Sequence, residues 1–259
     1  MKTLYLECGM GAAGDMLMAA LVELLPDKED FIEKMNTLGL SGVHVAAEKA
    51  EKCGIIGTHM RVTVDGEEEE SEDAHEHHHE HHHDHDHDHH HDHEHHHEHE
   101  HEHGHHPHHH ASVADIEGLI DGLEVSEKVK TDAKTVYTLI AEAESRVHGR
   151  PVQEIHFHEV GTLDAVADVV GVCLLMEEIG AEKIVASPIH VGSGHVHCMH
   201  GILPVPAPAT ALILSGVPTY GGQIQGELCT PTGAALLKHF VSRFGDRPVM
   251  AAQAIGYGM

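Results

Sequence analysis

The sequence predicts a mixed α/β fold, with sheets packed by helices, interrupted by a long His/Asp/Glu-rich insertion expected to be disordered. Three observations lead there. Short β-type runs alternate with stretches of helical apolar period on both sides of residues 66–111. Hydrophobic residues make up 41% of the 259, enough for a globular core, yet Trp is absent and Phe and Tyr number only four each, so the core must be aliphatic. Between Gly66 and His110 the composition ceases to be that of a folding chain. Ten of the 34 His lie elsewhere and the other 24 lie in this segment, interleaved with acids. Such a run cannot bury apolar surface.

Taken in order, residues 3–8 read as a strand and residues 14–25 as a helix stopped by Pro26. Residues 30–38 form a second helix ended by Gly39, and residues 44–49 and 55–64 are strands joined through Gly54. Residues 1–65 are thus a β-α-α-β-β part of the core, residues 66–111 the insertion, and residues 112–259 the remaining α/β part. There Ser112, with Asp115 three residues on, opens a short helix. Ser126 opens a longer one, whose Val129, Ala133, Val136, Ile140, Ala143 and Val147 line one face until Gly149-Arg150-Pro151 ends it. Thr162 caps a helix that is apolar on nearly all sides. Residues 183–187 and 219–225 predict strands, residues 231–244 a helix and residues 248–255 a last strand.

The formal net charge of −28 owes much to sixteen acids from Glu67 to Glu102, with no Lys or Arg between Arg61 and Lys128. Nothing here attracts nucleic acid or an anionic membrane. No run of about 18 apolar residues exists, so no membrane span is expected. No secretory apolar stretch precedes Glu7. Five scattered Cys without a CxxC pair indicate a reducing, cytosolic compartment.

Neutral imidazole is the commonest protein ligand for borderline divalent ions, and carboxylates support it. The tract's candidate metal ligands are His75, His77, His78, His79, His81, His82, His83, His85, His87, His89, His90, His91, His93, His95, His96 and His97. Ni, Cu and Zn all fit, and the tract alone does not name the metal. A purification tag would be short and terminal, whereas this segment is internal and long.

Four further segments could carry chemistry. Cys8 to Asp15 fits GxGxxG after a strand, but the unit lacks the acid of a second parallel strand; a Gly-rich anion loop or a plain tight turn are the alternatives. In His156-Phe157-His158-Glu159 the two imidazoles point the same way along an extended chain, and Asp164 and Asp168 follow one turn apart on an apolar helix. These residues suit a divalent site or acid–base work, against the plainer reading of a satisfied helix start. Gly192 to Gly201 holds His195, His197, Cys198 and His200 at no standard zinc spacing, and Pro204, Pro206 and Pro208 then lead into a helix near Ala207. Finally, Thr230 and Pro231 are a good N-cap and N1 pair, so N–H groups at Thr230, Thr232 and Gly233 could meet an anion, as in an ordinary capped helix.

These four segments, in this order, resemble the LarC family of nickel-insertion proteins, which build the nickel-pincer cofactor of lactate racemase. The matching residues are Cys8, Gly11, Gly14, Asp15 and Met16; His156 to Gly161 with Asp164 and Asp168; Gly192, Gly194 and His200 to Thr210; and Glu227 to Gly233. Gly9 and Met10 replace a Phe and a Ser of the usual family loop, so the GxGxxG match is accidental. The resemblance implies CTP-dependent insertion of nickel into pyridinium-3,5-bisthiocarboxylic acid mononucleotide, a lyase-class, cyclometallase reaction. It implies His156, His158, Glu159, Asp164 and Asp168 as catalytic candidates, with His156, His158 and His200 as core metal ligands. Gly11, Gly14, Asp15, Thr230, Thr232 and Gly233 would face the anionic precursor. CTP with Mg or Mn is expected only with a C-terminal LarC part, which this chain lacks. Lactate racemase apoprotein and other cofactor-synthesis proteins are candidate partners, and a homo-oligomer is left open. The alternative is a nickel store without catalysis of its own.

Overall fold

The computed structural model describes residues 1–68, 111–157, 159–198 and 200–259. The tract's histidines, like His158, lie outside the described residues.

Strand β1 (Thr3–Leu6) leads into helix α1 (Gly14–Val22). This helix stops short of the expected end because the Leu24 and Leu25 N–H groups turn back to Leu21 and Val22, three residues away, ahead of Pro26. Helix α2 (Lys28–Thr37) starts earlier than expected: the Asp27 carboxylate accepts from the Glu29 and Asp30 N–H groups. Strands β2 (Val43–Lys52) and β3 (Ile55–Val64) pair antiparallel from Val43↔Val64 to Lys52↔Ile55. Cys53 and Gly54, at φ 53° and 75°, form the two-residue turn between them. β4 (Glu67–Glu68) continues this sheet at the point where the tract begins.

Where the tract ends, β5 (Ala111–Ser112) enters helix α3 (Val113–Gly122) through the expected capping box of Ser112 and Asp115. Helix α4 (Glu127–His148) is capped by Ser126 and closed by Gly149 at φ 62°. Its apolar stripe is buried from Val129 to Ala143; Val147, 39% exposed, lies beyond the core. β6 (His156–Phe157) pairs antiparallel with β5, and a short 3-10 turn, Glu159–Gly161, precedes helix α5 (Leu163–Ile179). Thr162 takes the N-cap position, although its hydroxyl makes no capping bond. Helix α5 is buried on most sides. Gly171 lets it approach α1: a Cβ there would lie 2.4 Å from Met18 Sδ.

β7 (Lys183–Ala186) pairs parallel with β1, so the first and last parts of the chain share one sheet and one apolar core. Small strands follow: β8 (Ile189–His190), β9 (Gly192–Ser193), and the hairpin β10 (His195–Cys198) with β11 (Gly201–Pro204). After helix α6 (Pro208–Ile213), β12 (Thr219–Tyr220) joins β8 and β13 (Gly226–Glu227) joins β9. The strand expected over 219–225 therefore breaks at Gly221-Gly222. Helix α7 (Pro231–Phe240) ends before the expected position, because Val241 turns extended and β14 (Arg243–Phe244) pairs with β7. Residues 248–255 form no strand; near the end, Gly258 alone bridges to Thr58. Among the described residues no helix is long and apolar enough to cross a membrane.

Candidate functional site

The loops that start α1 and α7 are hydrogen-bonded to each other. The Ala12 N–H donates to Leu228 O at 2.9 Å, and the Thr230 N–H donates to Ala12 O at 3.1 Å. Two glycines permit this contact. Gly11 sits at φ 92°, where a Cβ would lie 1.8 Å from Leu228 O, and a Cβ on Gly233 would lie 2.1 Å from Ala12 O. At the α7 start Pro231 has no N–H, and the Gly233 N–H is taken by Thr230 Oγ1 at 3.2 Å. Thr230 Oγ1 also meets Thr232 Oγ1 at 2.9 Å. Of the first three helical positions, Thr232 therefore keeps the one N–H not used in capping.

The start of α1 faces the protein's own acids. A Cβ on Gly14 would lie 2.7 Å from Asp168 Cβ, and the Asp15 N–H donates to the Asp168 carboxylate. A carboxylate at a helix N-terminus is favourable, so this end already has its anion. Asp164 lies one turn before Asp168, and Tyr137 reaches the pair from α4. Oδ1 of Asp164, Oδ1 of Asp168 and the Tyr137 hydroxyl are all buried without a hydrogen-bond partner. Burial, then repulsion from Asp15 and Asp164, pushes the Asp168 carboxyl well above the usual range. Burial also raises Asp15, and burial followed by the two α5 carboxylates raises the Tyr137 phenol. The cluster can therefore hold a proton at pH values where an ordinary Asp has released it.

A cavity of about 150 Å³ opens beside this cluster's helices, at the C-terminal end of α4. His156 and His200, expected to act together, both line it, with Glu144, His148, Cys198, Glu227 and Pro231. The His148 and His200 rings lie 4.9 Å apart, and Glu144 Oε2 is 3.3 Å from His148 Nε2. β5 pairs with β6 so that Ser112 faces His156, which puts the end of the histidine tract next to the cavity. His195 and His197 share the exposed face of β10, whereas Val196 and Cys198 share the inner one. Among the described residues no three His, Cys, Asp or Glu converge as a preformed metal site.

Sequence reading missed Glu144, His148 and Tyr137. Tyr137 follows Val136 on the predicted stripe, and its hydroxyl was the signal that this face is not wholly apolar. Glu144 and His148 are an i, i+4 pair at a helix end, a pattern too common to single out.

An α/β core with acids, imidazoles and a thiol gathered beside a metal-binding tract defines a metal-handling protein. The chain belongs to the nickel insertion protein family, whose profile matches residues 4–259. This is the family that the four motifs resemble. Relatives named pyridinium-3,5-bisthiocarboxylic acid mononucleotide nickel insertion protein are similar to it throughout. The one from Clostridium acetobutylicum is 42% identical over 260 residues, 100% of this chain and 60% of its own. Those from Clostridium kluyveri and Staphylococcus epidermidis are each 37% identical, over 100% and 99% of this chain and 58% and 55% of their own. The chain thus spans little more than half the length of these relatives. No solved structure matches it.

Proposed function

We propose that this chain carries the nickel-handling site of an enzyme that inserts Ni²⁺ into pyridinium-3,5-bisthiocarboxylic acid mononucleotide. CTP hydrolysis, with its Mg or Mn, would depend on the portion of the relatives that this chain does not span. The supporting observation is the cavity at the end of α4, where His156 and His200 meet beside the exit of the histidine tract. Forming a nickel–carbon bond releases a ring proton. His156, His158, Glu159, Asp164 and Asp168 are the candidate acceptors, and the raised Asp168 carboxyl suits that task. The precursor's anionic groups do not fit the α1 start, which Asp168 occupies; the Thr232 N–H at α7 is the better partner. We place the protein in the cytoplasm, on its scattered free thiols, with lactate racemase apoprotein or other cofactor-synthesis proteins as partners.

The test is cofactor formation with the missing portion supplied and nickel abundant. Deleting residues 69–110 should leave it intact, whereas His158→Ala should abolish it. The reverse result identifies a nickel store, a reading favoured by the lack of three converging donors among the described residues.

The tract itself should hold several Ni²⁺ per chain. Calorimetric titration should show most of that stoichiometry lost on deletion of residues 69–110. The bound nickel should leave as pH falls through about 6.5, where imidazole protonates. Retention at pH 4.5 would mean that carboxylates or thiolates, not imidazoles, dominate.

A further inference from the structure

We infer that the cavity contains a nickel seat formed by His148, His200 and Cys198, on which the ion rests between the tract and the pincer precursor. This rests on the functional reading above and names the position at which nickel waits. The two imidazoles are already neighbours, 4.9 Å between ring centres, one from the last turn of α4 and one from the turn of the β10–β11 hairpin. Glu144 lies against His148 Nε2, so His148 offers Nδ1 to a metal, with a carboxylate orienting the ring. Cys198 lines the same cavity because it follows Val196 on the inner face of β10. Its Sγ now lies 3.5 Å from Gly201 O, a weak contact that it gives up when the seat closes.

The other thiols are poorly suited. Cys8, Cys173 and Cys229 are buried, and burial pushes their thiols up, Cys8 to about 12. Cys53 is exposed, but it sits in the β2–β3 turn, outside the residues lining the cavity. Supply is short-range. The tract rejoins the core at Ala111–Ser112, paired with His156–Phe157, so a loaded tract is held at high effective concentration beside the cavity.

The donor set explains the direction of transfer. A borderline divalent ion accepts nitrogen and sulfur ligands alike. Carboxylate- and imidazole-bound nickel from the tract gains a thiolate at the seat, and Cys198 releases its proton to solvent. The precursor then offers two thiocarboxylate sulfurs. Bonds from nickel to these form as those to Cys198 Sγ and the imidazoles break, and Cys198 regains a proton. Nickel stays divalent throughout, so no electron donor is needed.

The full-length chain tests this, because the tract contains no sulfur. Nickel is added anaerobically until the tract is saturated and beyond, and near-ultraviolet absorption is read for a sulfur-to-nickel charge-transfer band. The band is expected in wild type and in Cys53→Ser, at higher nickel in His148→Ala, and not in Cys198→Ser. Circular dichroism checks folding, with Cys198→Ala as the second variant if the serine form fails. A band of full size in a folded Cys198 variant, or none in wild type at any loading, overturns the seat. Cofactor assays separate this from the functional reading. Normal cofactor formation without the band removes the seat alone, and a Cys198-dependent band without cofactor formation supports the seat while removing the enzyme reading.

Discussion

Gly11→Ala should destabilise the protein by about 3–5 kcal/mol, the sum of backbone strain and steric overlap. Gly11 lies at φ 92°, and the added Cβ would sit 1.8 Å from a backbone oxygen, Leu228 O, rather than against a side chain that could turn away. The damage is not local. Leu228 precedes Cys229 and Thr230, whose contacts with Ala12 join the start of α1 to the start of α7. For a protein of this size such a loss lowers Tm by about 10 °C or more. Gly118→Ala is the matching control. Gly118 lies within the exposed face of α3, and a Cβ there meets nothing within 4 Å. The same substitution should there raise stability by about 0.5–1 kcal/mol. Thermal unfolding of the two variants checks both signs. A neutral Gly11→Ala would mean that the seam between the two helix starts is not closed in solution.

Much of the fold was legible because its signals are local. Ser112 and Asp115 announce a helix start by their spacing, and the stripe from Val129 to Ala143 announces its buried face. The errors fall where tertiary contacts outweigh local preference. Arg243 and Phe244 look like the continuation of a helix, yet β7 has an open edge that they complete. Residues 248–255 read as a strand, but in the fold they find no partner along that stretch. The site divides in the same way. The segments carrying His156, His200 and Glu227 stood out by residue type, and the fold gathers them around one cavity. What no sequence pattern conveys is that the Gly-rich loop packs against another loop. Nor does it convey that Asp168, 153 residues from Asp15 in the chain, takes the Asp15 N–H as its helix-end partner. The anion expected at that helix start is therefore an acid of the protein itself.

Asp168→Asn should make the protein more stable while abolishing cofactor formation. In the folded state the Asp168 carboxyl titrates well above its usual range, through burial and the neighbouring Asp15 and Asp164 carboxyls. A group raised in this way favours the folded state below its unfolded pKa of about 3.9, and that contribution is lost as pH rises through the folded value. At neutral pH the carboxyl thus weighs against folding. Asparagine removes the charge, and its Oδ1 still accepts the Asp15 N–H. Its amide can also donate to Asp164 Oδ1, which is buried without a partner. The gain should be about 1–3 kcal/mol at pH 7–8 and should shrink toward pH 4, where wild type is itself protonated. Denaturant unfolding across that range reads the effect: the two stability curves should converge in acid and separate as pH rises. Equal slopes would mean that Asp168 is not the strained group. The activity arm decides what the strain is for. A carboxyl kept in so unfavourable a place without a function would be open to replacement at no loss, whereas a proton acceptor for nickel insertion would not. A more stable Asp168→Asn protein that still forms cofactor at the wild-type rate would remove Asp168 from the chemistry and leave the cavity imidazoles to supply the base.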